Sequence, residues 1–490
     1  MRLESVAIAP VPPTRLAEAL TAEQGERFAE VVDRGRRELA DRVIWNVNST
    51  ARGGGVAEML RSLLAYARGA GLDARWVVMR GDRDFFAVTK RVHNMLHGEP
   101  GDGHGLTAAD GEAYLATARA NADELAPLIR PGDFVLLHDP QTAGLIEPLR
   151  AAGAHVVWRC HVGTDAAGPL ARAAWDFLLP HVREADAVVF SRHAFVWDGL
   201  DHERVAIVPP SIDPFSPKNQ DLEPAVATAI LQRAGIAAGP VSTAAPAFTR
   251  LDGTPGRVDR RAELVASDRL PANAPALLQV SRWDRLKDPL GLLDAFRCEI
   301  APRSPAHLVL AGPSPGAVAD DPEGLETLHE VTRAAAGYPR GIRARLHLCT
   351  LPMDDVEENA AIVNALQRRA QVVIQKSLAE GFGLTVAEAM WKARPVVASA
   401  VGGIREQIVE GETGLLVAPT DHAALADAAV GLLEDPVRAA AIGERGRESV
   451  RAIFLGARHL GQYLDLFERL LGRRSVAELA PLPPPRALAS

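Results

Sequence analysis

Residues 377–399 read SLAEGFGLTVAEAMWKARPVVAS. A strand ends, Glu380 follows, and Gly-Phe-Gly opens an apolar helical run that carries Glu388. PVVASA (395–400) is the next strand. Glycines at a helix N-terminus let a ligand approach the backbone N–H groups, and the helix dipole there favours negative charge. Glu380 precedes the helix, and Glu388 lies about one turn inside it. A carboxylate so placed can accept two hydroxyl hydrogen bonds from a ribose or a hexose. An acidic residue that merely complements the dipole explains one glutamate, but not both together with Gly-Phe-Gly.

The flanking sequence repeats this strand–helix rhythm in two blocks. RVIWNV (42–47), ARWVVM (74–79), DFVLLHD (133–139), HVVWRCH (155–161) and AVVFSR (187–192) are short apolar runs suited to buried strands, with helical segments between them. A second series comprises ALLQVSR (276–282), HLVLAG (307–312), RLHLCTL (345–351), VVIQKS (372–377) and PVVASA. Alternation of this kind predicts parallel sheets covered on both faces. The expected class is therefore α/β, with two Rossmann-like doubly wound domains facing across a cleft and ligands at the carboxyl ends of the strands. The expected division is an N-terminal extension (1–40), a first domain (41–212) joined by an amphipathic C-terminal helix (454–472), a turn-rich linker and insertion (213–272), a second domain (273–453) and a tail (473–490).

Two further loops carry candidate chemistry. In NSTARGGGVAEML (48–60), Gly53, Gly54 and Gly55 stand between a strand and a helix. The spacing is neither GxGxxG nor GxxxxGK[ST]. Close approach of a phosphate and a tight strand-to-helix turn both account for the triplet. In SRWDRLKDP (281–289), Arg282 and Lys287 can converge on a diphosphate from one turn, or form a solvated basic loop.

Composition narrows the classes. The 490 residues are 47% hydrophobic and 24% charged, as expected of a globular protein with two or three domains. A net charge of −8 gives no reason to expect nucleic acid or an anionic membrane surface. No apolar run reaches the length of a membrane span, and the N-terminus reads poorly as a signal peptide. Cys160, Cys298 and Cys349 are widely spaced and suit a reducing cytoplasm. No His/Cys/Asp cluster has metal-ligand spacing, so no protein-held metal is expected.

The pattern E-G-F-G-L-x-x-x-E, from Glu380 to Glu388, resembles the hallmark of the retaining glycosyltransferases of family 4, which have the GT-B fold. The glycine loop and the Arg282/Lys287 pair match that family's other elements in order. HDPQTAGL (138–145), WRCHVGTD (158–165), PPSIDP (209–214) and DDPEG (320–324) extend the likeness to trehalose-forming synthases and to the related retaining trehalose phosphorylases. The N-terminal extension and the insertion near 216–272 depart from the compact synthases, and both activities stay open.

The resemblance implies residue roles. Gly53, Gly54 and Gly55 would lie against a donor diphosphate, and Arg282 and Lys287 would neutralise it as it leaves. Glu380 would hold the transferring glucose. Glu388 would hold the ribose, beside Gly381, Phe382, Gly383 and Leu384. His161 would sit near the reacting centre and Asp139 would bind sugar hydroxyls; a core histidine and a helix cap are the plain alternatives. The implied substrates are a nucleoside diphosphate glucose, glucose and trehalose. Mg²⁺ would enter only with the nucleotide. A homodimer is also implied. The implied mechanism is front-face substitution, not double displacement by two carboxylates. A non-catalytic sugar- or nucleotide-binding regulator and a glycogen- or sucrose-type transferase are the remaining readings.

Overall fold

The apolar runs assemble into two seven-stranded sheets in the computed structural model, which describes residues 3–51, 55–265, 268–315, 323–472, 474–477 and 479. The chain divides into two units. One runs to Ser211 and resumes at Phe454; the other runs from Ile212 to Ile453.

The first unit holds β1 (Glu4–Val6), β2 (Val43–Asn48), β3 (Asp73–Val78), β4 (Phe134–His138), β5 (His155–Cys160), β6 (Ala187–Phe190) and β7 (Val205–Ile207). Their order is β1-β3-β2-β4-β5-β6-β7, parallel except for β1, which pairs antiparallel with β3. Strands β2 and β4 are buried along their whole length, as helices on both faces of a parallel sheet require. The order reverses between β2 and β4, so their carboxyl ends flank the place where such sheets bind ligands. The N-terminal stretch forms helices Thr14–Ala17 and Ala22–Glu38. A Cβ on Gly35 would come within 2.8 Å of Leu464 Cδ2, on the C-terminal helix Gly456–Leu471. Arg34 pairs with Glu468 of that helix at 2.7 Å.

The second unit holds a small hairpin, β8 (Ala247–Thr249) and β9 (Pro255–Arg257), and a sheet of β10 (Glu263–Val265), β11 (Ala276–Val280), β12 (His307–Pro313), β13 (Leu346–Leu351), β14 (Val372–Gln375), β15 (Val396–Ser399) and β16 (Leu415–Val417). The order is β10-β13-β12-β11-β14-β15-β16, parallel except for β10. Here the order reverses between β11 and β14. Among the described residues no helix is long and apolar enough to cross a membrane.

The stretch expected to be linker and insertion is built into the second unit. Helix Pro224–Arg233 packs on helix Val356–Arg369, and Asn364 Nδ2 donates to Pro217 O and Gln220 O at 3.0 and 2.8 Å. Arg250 forms ion pairs with Asp355 and Glu357, and β10 extends the sheet edge. Glu358 is 1% exposed; its carboxylate accepts the backbone N–H groups of Asp259 and Arg260 and pairs with the Arg260 guanidinium. The strands here are three residues long and set among Pro and Gly, so no apolar run marks them. The tail residues 480–490 and positions 52–54, 266–267 and 316–322 lie outside the described residues.

Removing the Glu358 carboxylate orphans two backbone donors and a guanidinium. Glu358→Ala should therefore destabilise the second unit by about 2–3 kcal/mol in urea unfolding. It should also speed amide exchange in residues 247–265. Unchanged exchange there would show that the carboxylate does not hold the segment.

Candidate active site

In the second unit the candidate residues gather at the ends of β11 and β14. Asp284 caps a 3-10 turn, Arg285–Lys287, by accepting Leu286 N–H at 2.8 Å. That turn delivers Lys287 Nζ to Glu380 Oε2 at 2.7 Å. Their side chains are 17% and 11% exposed, so both charges are substantially withdrawn from water. Ser377 Oγ approaches the same carboxylate oxygen at 3.5 Å. Arg282 precedes this turn on the same loop, with Nη2 3.4 Å from Asp284 Oδ2.

One buried amide ties the two loops. Gln279 Nε2, on β11, donates to Lys287 O at 2.9 Å, and Gln279 Oε1 accepts Lys376 N–H, just past β14, at 2.9 Å. Lys376 is 1% exposed, and its ammonium pairs with Asp288. Asp288 takes a left-handed conformation (φ 42°) and caps helix Pro289–Ala295 through Gly291 N–H at 2.9 Å. A non-glycine residue in that region is strained, and here two bonds hold it.

Glu380 leads into Gly381, Phe382 and Gly383. Gly383 (φ 86°) caps helix Leu384–Trp391. Gly402, after β15, packs so closely that a Cβ there would overlap Glu380 O at 1.6 Å. Gly403 N–H donates to Gly381 O at 3.1 Å, and Gln407 Nε2 donates to Phe382 O. Glu388, in the second turn of the helix, is 2% exposed and faces Lys218 Nζ at 3.5 Å. The two glutamates thus face different lysines.

In the first unit the ends of β4 and β5 are linked by imidazoles. His138 Nε2 lies 3.3 Å from Asn46 Oδ1, and His138 Nδ1 lies 3.3 Å from His161 Nε2. With Asn46 Oδ1 accepting, His138 carries its hydrogen on Nε2 and accepts from His161 Nε2–H; His161 Nδ1 is then an acceptor. Burial lowers His138 to about 3 and also lowers His161, where the Arg159 guanidinium adds to the effect. Both rings are therefore neutral at pH 7.

Asp139 follows β4 with φ 65°. Its Oδ1 accepts His161 N–H at 2.7 Å, and its backbone carbonyl accepts Thr142 Oγ1–H and Trp158 Nε1–H. This carboxyl braces the His161 loop. Gly55 opens helix Gly55–Gly69, while Gly53 and Gly54 lie outside the described residues. Sequence reading missed Asn46, His138, Arg159, Gln279, Lys376 and Lys218. Lys218 lies just beyond the quoted PPSIDP motif, in the stretch expected to be linker. The others are polar residues in or beside strands, where alternation alone gives no sign of them.

Burial raises Asp139 from 3.8 to about 7. Its protonated form contributes stability that is complete below about pH 4 and is lost as pH rises through about 7. Asp139→Asn keeps an oxygen for His161 N–H and cannot ionise. Its Tm relative to the parent should be level below about pH 4 and rise from there to about pH 8. A difference that stays constant over that range would contradict the assignment.

Residues 46–197 match the family described as trehalose synthase, N-terminal domain, and residues 261–449 match glycosyl transferases group 1. The chain is similar to the trehalose synthase of Rubrobacter xylanophilus, at 38% identity over 443 residues covering 89% of this chain and 93% of that protein. It is also similar to the trehalose phosphorylase of Pleurotus pulmonarius, at 28% identity over 408 residues covering 77% of this chain and 50% of that protein. Among solved structures, an α,α-trehalose-phosphate synthase (UDP-forming) from Burkholderia vietnamiensis superposes with a TM-score of 0.63 at 17% identity. It covers 87% of this chain and 99% of that one, a likeness that shows the GT-B fold. With two sheets of this topology and near full-length identity above one third, the chain belongs to the trehalose synthase family of glycosyltransferases.

Proposed function

We propose that this protein transfers glucose, with retention, from a nucleoside diphosphate glucose to free glucose, giving α,α-trehalose, and that the reaction is reversible. The observation that carries this reading is the Lys287–Glu380 pair, on the loop that also carries Arg282 and ahead of the Gly-Phe-Gly helix that bears Glu388. Two cations at one strand end suit a diphosphate. Two separately paired carboxylates suit sugar hydroxyls.

In the proposed reaction the bond from glucose C1 to the diphosphate oxygen breaks, and C1 bonds to the anomeric oxygen of the acceptor on the same face. The acceptor proton passes to the departing diphosphate. Arg282 and Lys287 stabilise the charge that develops there, and this electrostatic term is the protein's main contribution. Glu380 accepts hydroxyl hydrogen bonds from the transferring glucose, and Glu388 accepts them from the ribose. Neutral His161 accepts one sugar hydroxyl at Nδ1, and Asp139 fixes the backbone that presents it. Such positioning accounts for catalysis without a covalent intermediate.

Running the reaction backwards tests the proposal. Trehalose is supplied with ADP, UDP, GDP or inorganic phosphate, and the glucosyl product is identified. A nucleoside diphosphate glucose is the expected product, and the best nucleotide names the donor. Glucose 1-phosphate, formed with phosphate alone, would replace the proposal with a phosphorylase. No glucosyl product from any partner would overturn both.

A further inference from the structure

Glu388 is almost wholly buried, and a buried carboxylate needs a partner for its charge. One cationic partner, Lys218, comes from the turn 213–219, which neither seven-stranded sheet contains. That turn is held firmly. Asp213 Oδ1 accepts Phe215 N–H at 2.9 Å, and Asp213 O accepts Ser216 Oγ–H and an Asn219 Nδ2 hydrogen. Both neighbours of Lys218 are pinned: Pro217 O by Asn364 Nδ2 at 3.0 Å, and Asn219 O by Trp391 Nε1 at 3.2 Å. Lys392 Nζ bridges Asn219 Oδ1 at 2.8 Å and Glu388 O at 3.0 Å.

Two lysines thus approach Glu388, with different effects. Lys392 binds the backbone carbonyl and staples the turn to the helix. Lys218 meets the carboxylate itself, at 3.5 Å from a side chain only 16% exposed. That separation is an ion pair, longer than a short hydrogen bond. It steadies the direction and charge of a group with about four acceptor sites, so pairing with Lys218 is compatible with accepting two hydroxyls.

We propose that Lys218 is a positioning residue for nucleotide recognition: mounted on the 213–219 turn, it aims the Glu388 carboxylate at the ribose hydroxyls of a nucleoside diphosphate. The inference rests on the proposed role of Glu388. It also gives the 213–219 turn, expected to be linker, a part in ligand selection.

The test is calorimetric binding of ADP, UDP and their 2′-deoxy counterparts to the full chain. The proteins are the parent, Lys218→Met, Lys218→Gln, Lys218→Arg and Glu388→Gln, each checked for folding by Tm. The parent should prefer the ribonucleotide by about tenfold, the size of one hydrogen bond to a charged group. Lys218→Met and Lys218→Gln should bring ribonucleotide affinity down to the deoxy level, and Lys218→Arg should restore the preference. A ribose preference retained in both Met and Gln variants would overturn the inference. So would an equal loss of affinity for ribo and deoxy forms, which is what a merely structural lysine predicts. If the parent or Glu388→Gln gives no sign that Glu388 reads the ribose, the role of Glu388 fails, and with it the inference that depends on it.

Discussion

The ion pair between Lys287 and Glu380 is the contact at the centre of the candidate site in the second unit. It joins the loop after β11 to the loop after β14, the two strands where the sheet order reverses. Gln279 holds the same two loops through both ends of its amide, and Asp288 with Lys376 makes a further link behind it. Removing one member of such a pair leaves an uncompensated charge in a poorly solvated place, which costs more than the pair itself contributes. The loops are thus kept in register by the same groups proposed to carry the chemistry. Gly402 completes the arrangement, because its missing side chain is the space that Glu380 O occupies.

The two units handle polarity differently. The second concentrates full charges: Arg282, Lys287 and Glu380 near one strand end, and Lys218 and Glu388 on the adjoining helix and turn. In the first, burial depresses His138 and His161 and raises Asp139, beside the buried Arg159 guanidinium. His138 is depressed to about 3 and Asp139 raised to about 7, each mainly by desolvation. Paired charges suit phosphates and strongly held hydroxyls. A neutral imidazole suits a sugar hydroxyl without repelling or attracting an ion. That contrast supports the proposal of donor phosphate chemistry in the second unit and sugar contacts at His161.

Much of this was legible from residue order. Runs such as VVIQ in 372–375 are fully buried parallel strands, so an uninterrupted apolar run of strand length marks them. The helix behind Gly-Phe-Gly and the position of Glu388 in it follow from glycine at a helix start and from 3.6-residue periodicity. What escaped notice has two causes. Strands β1, β7, β8, β9, β10 and β16 are only three residues long and are recruited by pairing with a neighbour, so their own composition carries little signal. The supporting polar groups, Gln279, Lys376, Arg159 and Lys218, act through partners far away in sequence. Gln279 and Lys376 are 97 residues apart, and Lys218 and Glu388 are also brought together only by folding. Spacing along the chain cannot reveal such pairs.

The central claim is retention at the transferred carbon with free glucose as acceptor. Carbon NMR of the forward reaction tests it most directly: a nucleoside diphosphate α-glucose labelled at C1 is mixed with unlabelled glucose and the protein, and the labelled anomeric carbon is followed. The account predicts one labelled α-configured anomeric carbon in α,α-trehalose. A β-configured labelled carbon, or label that appears only in free glucose, would contradict it.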